Sequence, residues 1–263
     1  MTRFRLAIIA TLCLAASLLL ARVHPFGNAG LYAPSDPNAA IMNSAVPADV
    51  RALLNAKCAD CHSSQTNAPI YAHFAPISWL PERDITQARA AMDLSHWTSY
   101  SPDQQDTLTA KIVQQAKSGT MPPLQYRIIH WNTRLTAADI HTLTQWAHAD
   151  PSTDPTPPAT LLPGDPVRGQ ATFEKRCTGC HPLDHNHEGP RLQGVYGRPA
   201  GSIPGFPYSD ALKHANLTWN DQTLEQWLTD PDAFLPGNNM DFHVPRPQER
   251  KDIIAYFKQS AGK

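Results

Sequence analysis

One five-residue pattern occurs twice in this chain, as Cys58-Ala59-Asp60-Cys61-His62 and as Cys177-Thr178-Gly179-Cys180-His181. Two thiols three residues apart lie on one side of a helical turn. There they can form thioethers with the two vinyl groups of one porphyrin, and the histidine that follows can turn its imidazole onto the iron. The two copies use four of the five cysteines. They predict two covalently attached haem c groups, with His62 and His181 as proximal iron ligands. Other cysteine chemistries fit less well. A thioredoxin-like redox pair would sit near a βαβ pattern, and none is visible. A four-cysteine zinc site would need both pairs to converge across a proline-rich break. Cys13, the remaining cysteine, lies in a hydrophobic leader and reads as apolar filler.

The elements that must position these motifs are helical. Ser101 can cap a helix with Pro102 at its first position; Leu108, Ile112, Val113 and Ala116 then form one apolar face, and Gly119 ends it. Thr136 and Asp139 form a capping box ahead of Ile140, Leu143 and Trp146 at helical spacing. Thr218 and Asp221 repeat the box ahead of Leu224, Trp227 and Leu228. A last helix follows Pro247 and carries Ile253, Ile254 and Phe257. No sustained alternation marks a strand, so the fold class is all-α: two haem domains joined by a Pro-rich linker behind an N-terminal hydrophobic helix.

The 263 residues allow two domains of ordinary size after a leader. Residues 1–23 read as an export signal or an uncleaved membrane anchor. Arg3 and Arg5 precede the apolar run Leu6–Leu20, and Leu19-Leu20-Ala21-Arg22 is a poor cleavage site. The preferred reading is an anchor with its N-terminus inside, which leaves the body periplasmic and tethered to the inner membrane. Residues 24–47 form a spacer and 48–149 a first haem domain. A linker over 150–163 and a second haem domain over 164–263 follow. The formal net charge of −1 supplies no field for nucleic acid or acidic lipid.

The second domain resembles class I cytochrome c of the mitochondrial-like branch over nearly its whole length. The resemblance is carried by Gly169 and Phe173, the second Cys-x-x-Cys-His, Gly189-Pro190-Arg191-Leu192, Gly197-Arg198, Pro207-Tyr208-Ser209, Leu217-Thr218-Trp219, Pro236-Gly237-Asn238-Asn239-Met240 and Ile253–Phe257. It implies that His181 and Met240 are the axial ligands and that Pro190 packs by His181, its region's backbone fixing the imidazole. It also implies that Arg198, Tyr208 and Trp219 hydrogen-bond the haem propionates, and that Gly169 lets the first helix approach the last. Two departures stand out. Trp227 takes the place of a tyrosine usual near the methionine sulfur and reads as a core aromatic. Leu212 takes the place of an asparagine. Both imply fewer hydrogen-bonding groups on the distal side. The charge balance from Leu161 to Lys263, 11 Lys and Arg against 12 Asp and Glu, predicts no strongly acidic docking partner.

The first domain is similar to the bacterial haem-binding domain family, from about Val46 to His148. The matching residues are Cys58–Ser63, Pro76-Ile77-Ser78-Trp79-Leu80, Leu94-Ser95-His96-Trp97, Gly119-Thr120-Met121-Pro122 and Ile128-Ile129-His130. Met121, on a proline-stiffened turn, is the preferred distal ligand; His73, His96 and His130 are its competitors.

Histidine and methionine on each iron leave no position for a substrate, so the expectation is an electron carrier with no catalytic residue. It would pass single electrons between an exported or membrane-bound redox donor and acceptor. The alternatives are a dihaem peroxidase-like enzyme and a haem-based gas or redox sensor, either of which would use a first haem that can open.

Overall fold

The computed structural model of the protein describes residues 2–31, 46–149 and 160–261. Residues 32–45 of the expected spacer and 150–159 of the expected linker lie outside this set. Among the described residues the regular structure is helical; the isolated pairing of Pro199 with Thr218 is the sole β-bridge. The chain forms two compact units: Met1–Ser99 with His130–Arg134, and Tyr100–Ile129 with Leu135–Lys263.

The first unit opens with α1 (Thr2–Leu20), exposed along its length and apolar and long enough to cross a membrane. Its last turns are tied to the rest of the unit. Ser17 Oγ donates to the Ala75 carbonyl at 2.7 Å, and the Trp79 indole N–H donates to the Val23 carbonyl at 3.0 Å. α2 (Ala48–Lys57) buries Val50 and Leu54. α3 (Ala59–His62) is the single turn that carries the first haem motif, and α4 (Trp79–Ala91) buries Ile85 and Glu82.

The second unit holds α5 (Pro102–Lys117), α6 (Leu124–Ile129), α7 (Ala137–His148) and α8 (Pro166–Arg176), then α9 (Asp210–Lys213), α10 (Asp221–Thr229), α11 (Pro231–Phe234) and α12 (Pro247–Ser260). α5 starts at the expected Ser101 cap with Pro102 at the first position, and Gln104 adds the return bond of a capping box that was not expected. It stops before Gly119, whose φ of +68° is the left-handed conformation glycine adopts without strain. α7 starts at the expected Thr136–Asp139 box.

α10 differs. Its cap is Asn220, answered by Thr223, and the expected box of Thr218 with Asp221 does not form. The reason is a pairing with a distant stretch of chain. Thr218 bridges Pro199, while the Trp219 N–H donates to the Arg198 carbonyl at 3.0 Å and the Gly197 N–H to the Trp219 carbonyl at 2.7 Å. The chain is thereby held extended until Asn220.

α8 and α12 form the framework of this unit. A Cβ on Gly169 would lie 1.9 Å from the Asp252 carbonyl oxygen and 2.9 Å from Tyr256 Cβ, so the backbones touch where only glycine fits. Phe173, one turn on, packs its ring edge-on to Phe257 at 5.7 Å and tilted against Tyr256 at 5.6 Å. Around them Val195, Leu224, Leu228, Val244, Ile253 and Ile254 complete the core.

Candidate haem sites

The second Cys-x-x-Cys-His leaves the end of α8 as a tight turn. The Cys180 and His181 N–H groups donate to the Cys177 carbonyl at 3.1 and 2.8 Å, which gathers both thiols and the imidazole onto one short arc. His181 Nδ1–H donates to the Pro190 carbonyl at 2.9 Å. A carbonyl can only accept, so Nδ1 carries the proton and Nε2 keeps its lone pair for a metal. Burial also lowers the pKa of His181, and the ring stays neutral. A Cβ on Gly189 would fall within 2.1–2.6 Å of three ring atoms of His181, so glycine makes room for the imidazole.

Met240 comes from the segment after α11. Its N–H donates to Asn238 Oδ1 at 2.6 Å, and Asn238 is buried, with its amide donating to Asp232 Oδ1 and to the Leu235 carbonyl. Cys177, Cys180, His181, Pro190, Arg198, Tyr208, Trp219 and Met240 all line one cavity of about 370 Å³. Leu192, Leu212, Leu224 and Phe257 supply apolar wall. Tyr208 and Trp219 are buried, while the Arg198 guanidinium donates to the Gln193 and Arg191 carbonyls, each at 3.0 Å.

The first motif repeats the same local chemistry. His62 Nδ1–H donates to the Met92 carbonyl at 3.1 Å, and burial lowers its pKa. Arg89 of α4 holds the chain beyond it: Nε donates to the Ser63 carbonyl at 2.7 Å and a terminal N–H to Thr66 Oγ1 at 2.9 Å. Met121 belongs to the second unit, after α5, and is 43% exposed. Of its competitors, His130 Nε2 is hydrogen-bonded to the Tyr71 hydroxyl at 2.9 Å and His96 Nδ1 to Asp93 Oδ2 at 2.9 Å. His73 ends the single-turn helix Ile70–His73.

Burial pushes the thiols up, to about 12 for Cys58, Cys177 and Cys180 and about 11 for Cys61.

Residues 166–261 match the cytochrome c family, and residues 20–149 match the haem-binding domain family. The cytochrome c of Chlamydomonas reinhardtii is 42% identical over 103 residues, covering 38% of this chain and 92% of that protein. The chain belongs to the cytochrome c family. Cytochrome c2 of Rhodomicrobium vannielii is 44% identical over 103 residues, 38% of this chain and 82% of that protein. Among solved structures, cytochrome cH from Methylobacterium extorquens is 43% identical, covering 36% of this chain and 99% of that one, with a TM-score of 0.35. The chain is an electron-carrier haem protein.

The cytochrome c domain fits haem by its own residues: two thiols, a neutral imidazole with Nε2 available, and a thioether share one largely apolar cavity. One expectation about it is overturned. Trp227 is more than a core aromatic, because its indole N–H donates to Met240 Sδ at 3.1 Å. The tyrosine-to-tryptophan change therefore replaces a donor rather than removing one. The sequence offered the signal, since tryptophan carries an N–H, but the direction of that N–H depends on how α10 packs. The Met92 carbonyl had no such signal, lying thirty residues from His62 in sequence. The place of α5 also went unforeseen: Thr107, Lys111 and Gln114, at helical spacing, line the cavity of the cytochrome c domain.

Proposed function

We propose that the chain is a dihaem c-type cytochrome that carries single electrons between exported or membrane-bound redox partners. One haem c is attached through Cys58 and Cys61 in a haem-binding domain over 48–149, the other through Cys177 and Cys180 in a cytochrome c domain over 164–263. Residues 150–163 link them. His62 and Met121 hold the first iron; His181 and Met240 hold the second. Bound in this way, each iron supplies a one-electron ferric–ferrous couple whose potential methionine raises relative to a second histidine.

The protein's own part is to hold ligands and exclude water. Pro190 and the Met92 carbonyl orient the two proximal imidazoles. Arg198, Tyr208 and Trp219 receive the propionates of the second haem. α1 retains the protein at the inner membrane with its haems on the periplasmic side. The assignment of Met121 rests on the Gly119-Thr120-Met121-Pro122 sequence.

The observation that carries this reading is the convergence of all eight residues assigned to the second haem on one cavity. The test is a pyridine haemochrome spectrum with intact-protein mass, expected to give two haems per chain. Potentiometry of Met240→His should then show a six-coordinate second haem at a markedly lower potential. One haem per chain, or an unmoved potential, would refute the assignment.

A further inference from the structure

α5 contacts the cytochrome c domain along the whole haem crevice. At its start, Asp103 and Asp106 meet Arg176, the residue before Cys177, at 2.7 and 3.3 Å; Asp103 also pairs with Lys175. Arg176 is only 6% exposed, with Glu249 of α12 as its third carboxylate at 3.4 Å. In its middle, Lys111 pairs with Glu188 at 3.3 Å, and a Cβ on Gly179 inside the haem motif would already touch Thr107 at 3.4 Å. At its end, Lys117 pairs with Asp232 at 2.9 Å and with Asp241, the residue after Met240. The helix thus runs from the attachment turn to the distal ligand, matched in charge at each step.

We propose that α5 is a docking partner supplied in cis. It occupies the face of the cytochrome c domain around the attachment turn, so an external redox protein does not reach the second haem across that face. This rests on the dihaem carrier reading and narrows it. The basic pair Lys175–Arg176 is the natural landing site for an acidic protein, and Asp103 and Asp106 already neutralise it. An outside partner therefore meets a face with little steering charge, and electrons crossing this wall pass through α5 itself.

Two measurements test it on the full-length holoprotein. Zero-length carbodiimide cross-linking with peptide mapping should yield the intrachain pairs Lys111–Glu188, Lys117–Asp232 and Lys175–Asp103. Absence of all three overturns the proposal, and this readout is independent of electron transfer. Stopped-flow reduction then compares hexaammineruthenium(II), a small donor, with reduced flavodoxin, an acidic protein donor. Each gives up one electron and is oxidised as the ferric iron is reduced, and rapid-freeze EPR reads the second haem. In the combined variant Asp103→Asn, Asp106→Asn, which frees Lys175 and loosens Arg176, the flavodoxin-to-ruthenium rate ratio should rise about tenfold, as expected when a basic face is opened to an acidic partner. An unchanged ratio overturns the proposal. If the variant does not fold, the cross-links in the unaltered chain decide. Failure of ruthenium to reduce the second haem would instead sink the carrier reading and leave the cross-link result standing.

Discussion

The indole N–H of Trp227 points at Met240 Sδ, 3.1 Å away, from a buried position on α10. A thioether that accepts a hydrogen bond is a poorer electron donor to a metal, which favours the reduced iron. Met240 itself is set by the Asn238 side chain, so donor and acceptor are fixed from opposite ends of the segment between α10 and Met240. Trp227→Phe keeps the aromatic packing against Trp219 and Phe234 but removes the donor. The potential of the second haem should fall, by no more than the ~0.5–1.5 kcal/mol net worth of one hydrogen bond. Spectroelectrochemistry checks this, and a rise in potential would contradict it.

Met121 gives a test of the first haem. Replacing it with alanine should open that iron and create CO binding that the parent lacks, read by flash photolysis of the ferrous protein. His130→Ala should leave the spectra unmoved, because His130 is engaged with Tyr71. The reverse pattern would transfer the ligand assignment to His130.

Asp252 couples the two framework helices to pH. Burial alone would raise its carboxyl. The Arg168 guanidinium, the Asp165 N–H and Gln248 outweigh that and hold it below the usual range. A depressed folded-state pKa contributes stability that is fully present above the unfolded carboxylate value and is lost as pH falls through the folded one. Asp252→Asn should therefore cost about 2 kcal/mol at pH 7, the scale of hydrogen bonds to a charged group. The gap to the parent should close at an acid pH, once the carboxyl has titrated below the ordinary carboxylate range. Urea unfolding at the two pH values measures both; a gap independent of pH would show that the charge of Asp252 is irrelevant.

Two glycines should respond differently to alanine. Gly169→Ala places a methyl group 1.9 Å from backbone that cannot yield without separating α8 from α12, so the loss should be ~3 kcal/mol or more. Gly179→Ala meets the Thr107 methyl at 3.4 Å and the flexible end of Lys111 at 3.9 Å, easily adjusted contacts. Its loss should stay below ~1 kcal/mol, well within the range of ordinary substitutions. Thermal melts of the two variants side by side provide the comparison, and equal losses would refute the account of the helix crossing.

Much of this protein is legible in one dimension because its chemistry is local. A Cys-x-x-Cys-His unit needs only one helical turn to gather its groups, and caps such as Ser101 and Thr136–Asp139 act over three residues. Even the Gly169 contact was within reach, through the resemblance of Gly169 and Phe173 to the first helix of class I cytochrome c. The cap of α10 was misplaced because a long-range pairing, Pro199 with Thr218, overrode a local signal. Trp227 as a donor to Met240, the Met92 carbonyl behind His62, and α5 as a wall of the second crevice were decided by tertiary structure alone. Each depends on the direction of a hydrogen bond or an ion pair between residues far apart in the chain. Residue type sets which bonds can be made, and only the packed helices determine which of them are.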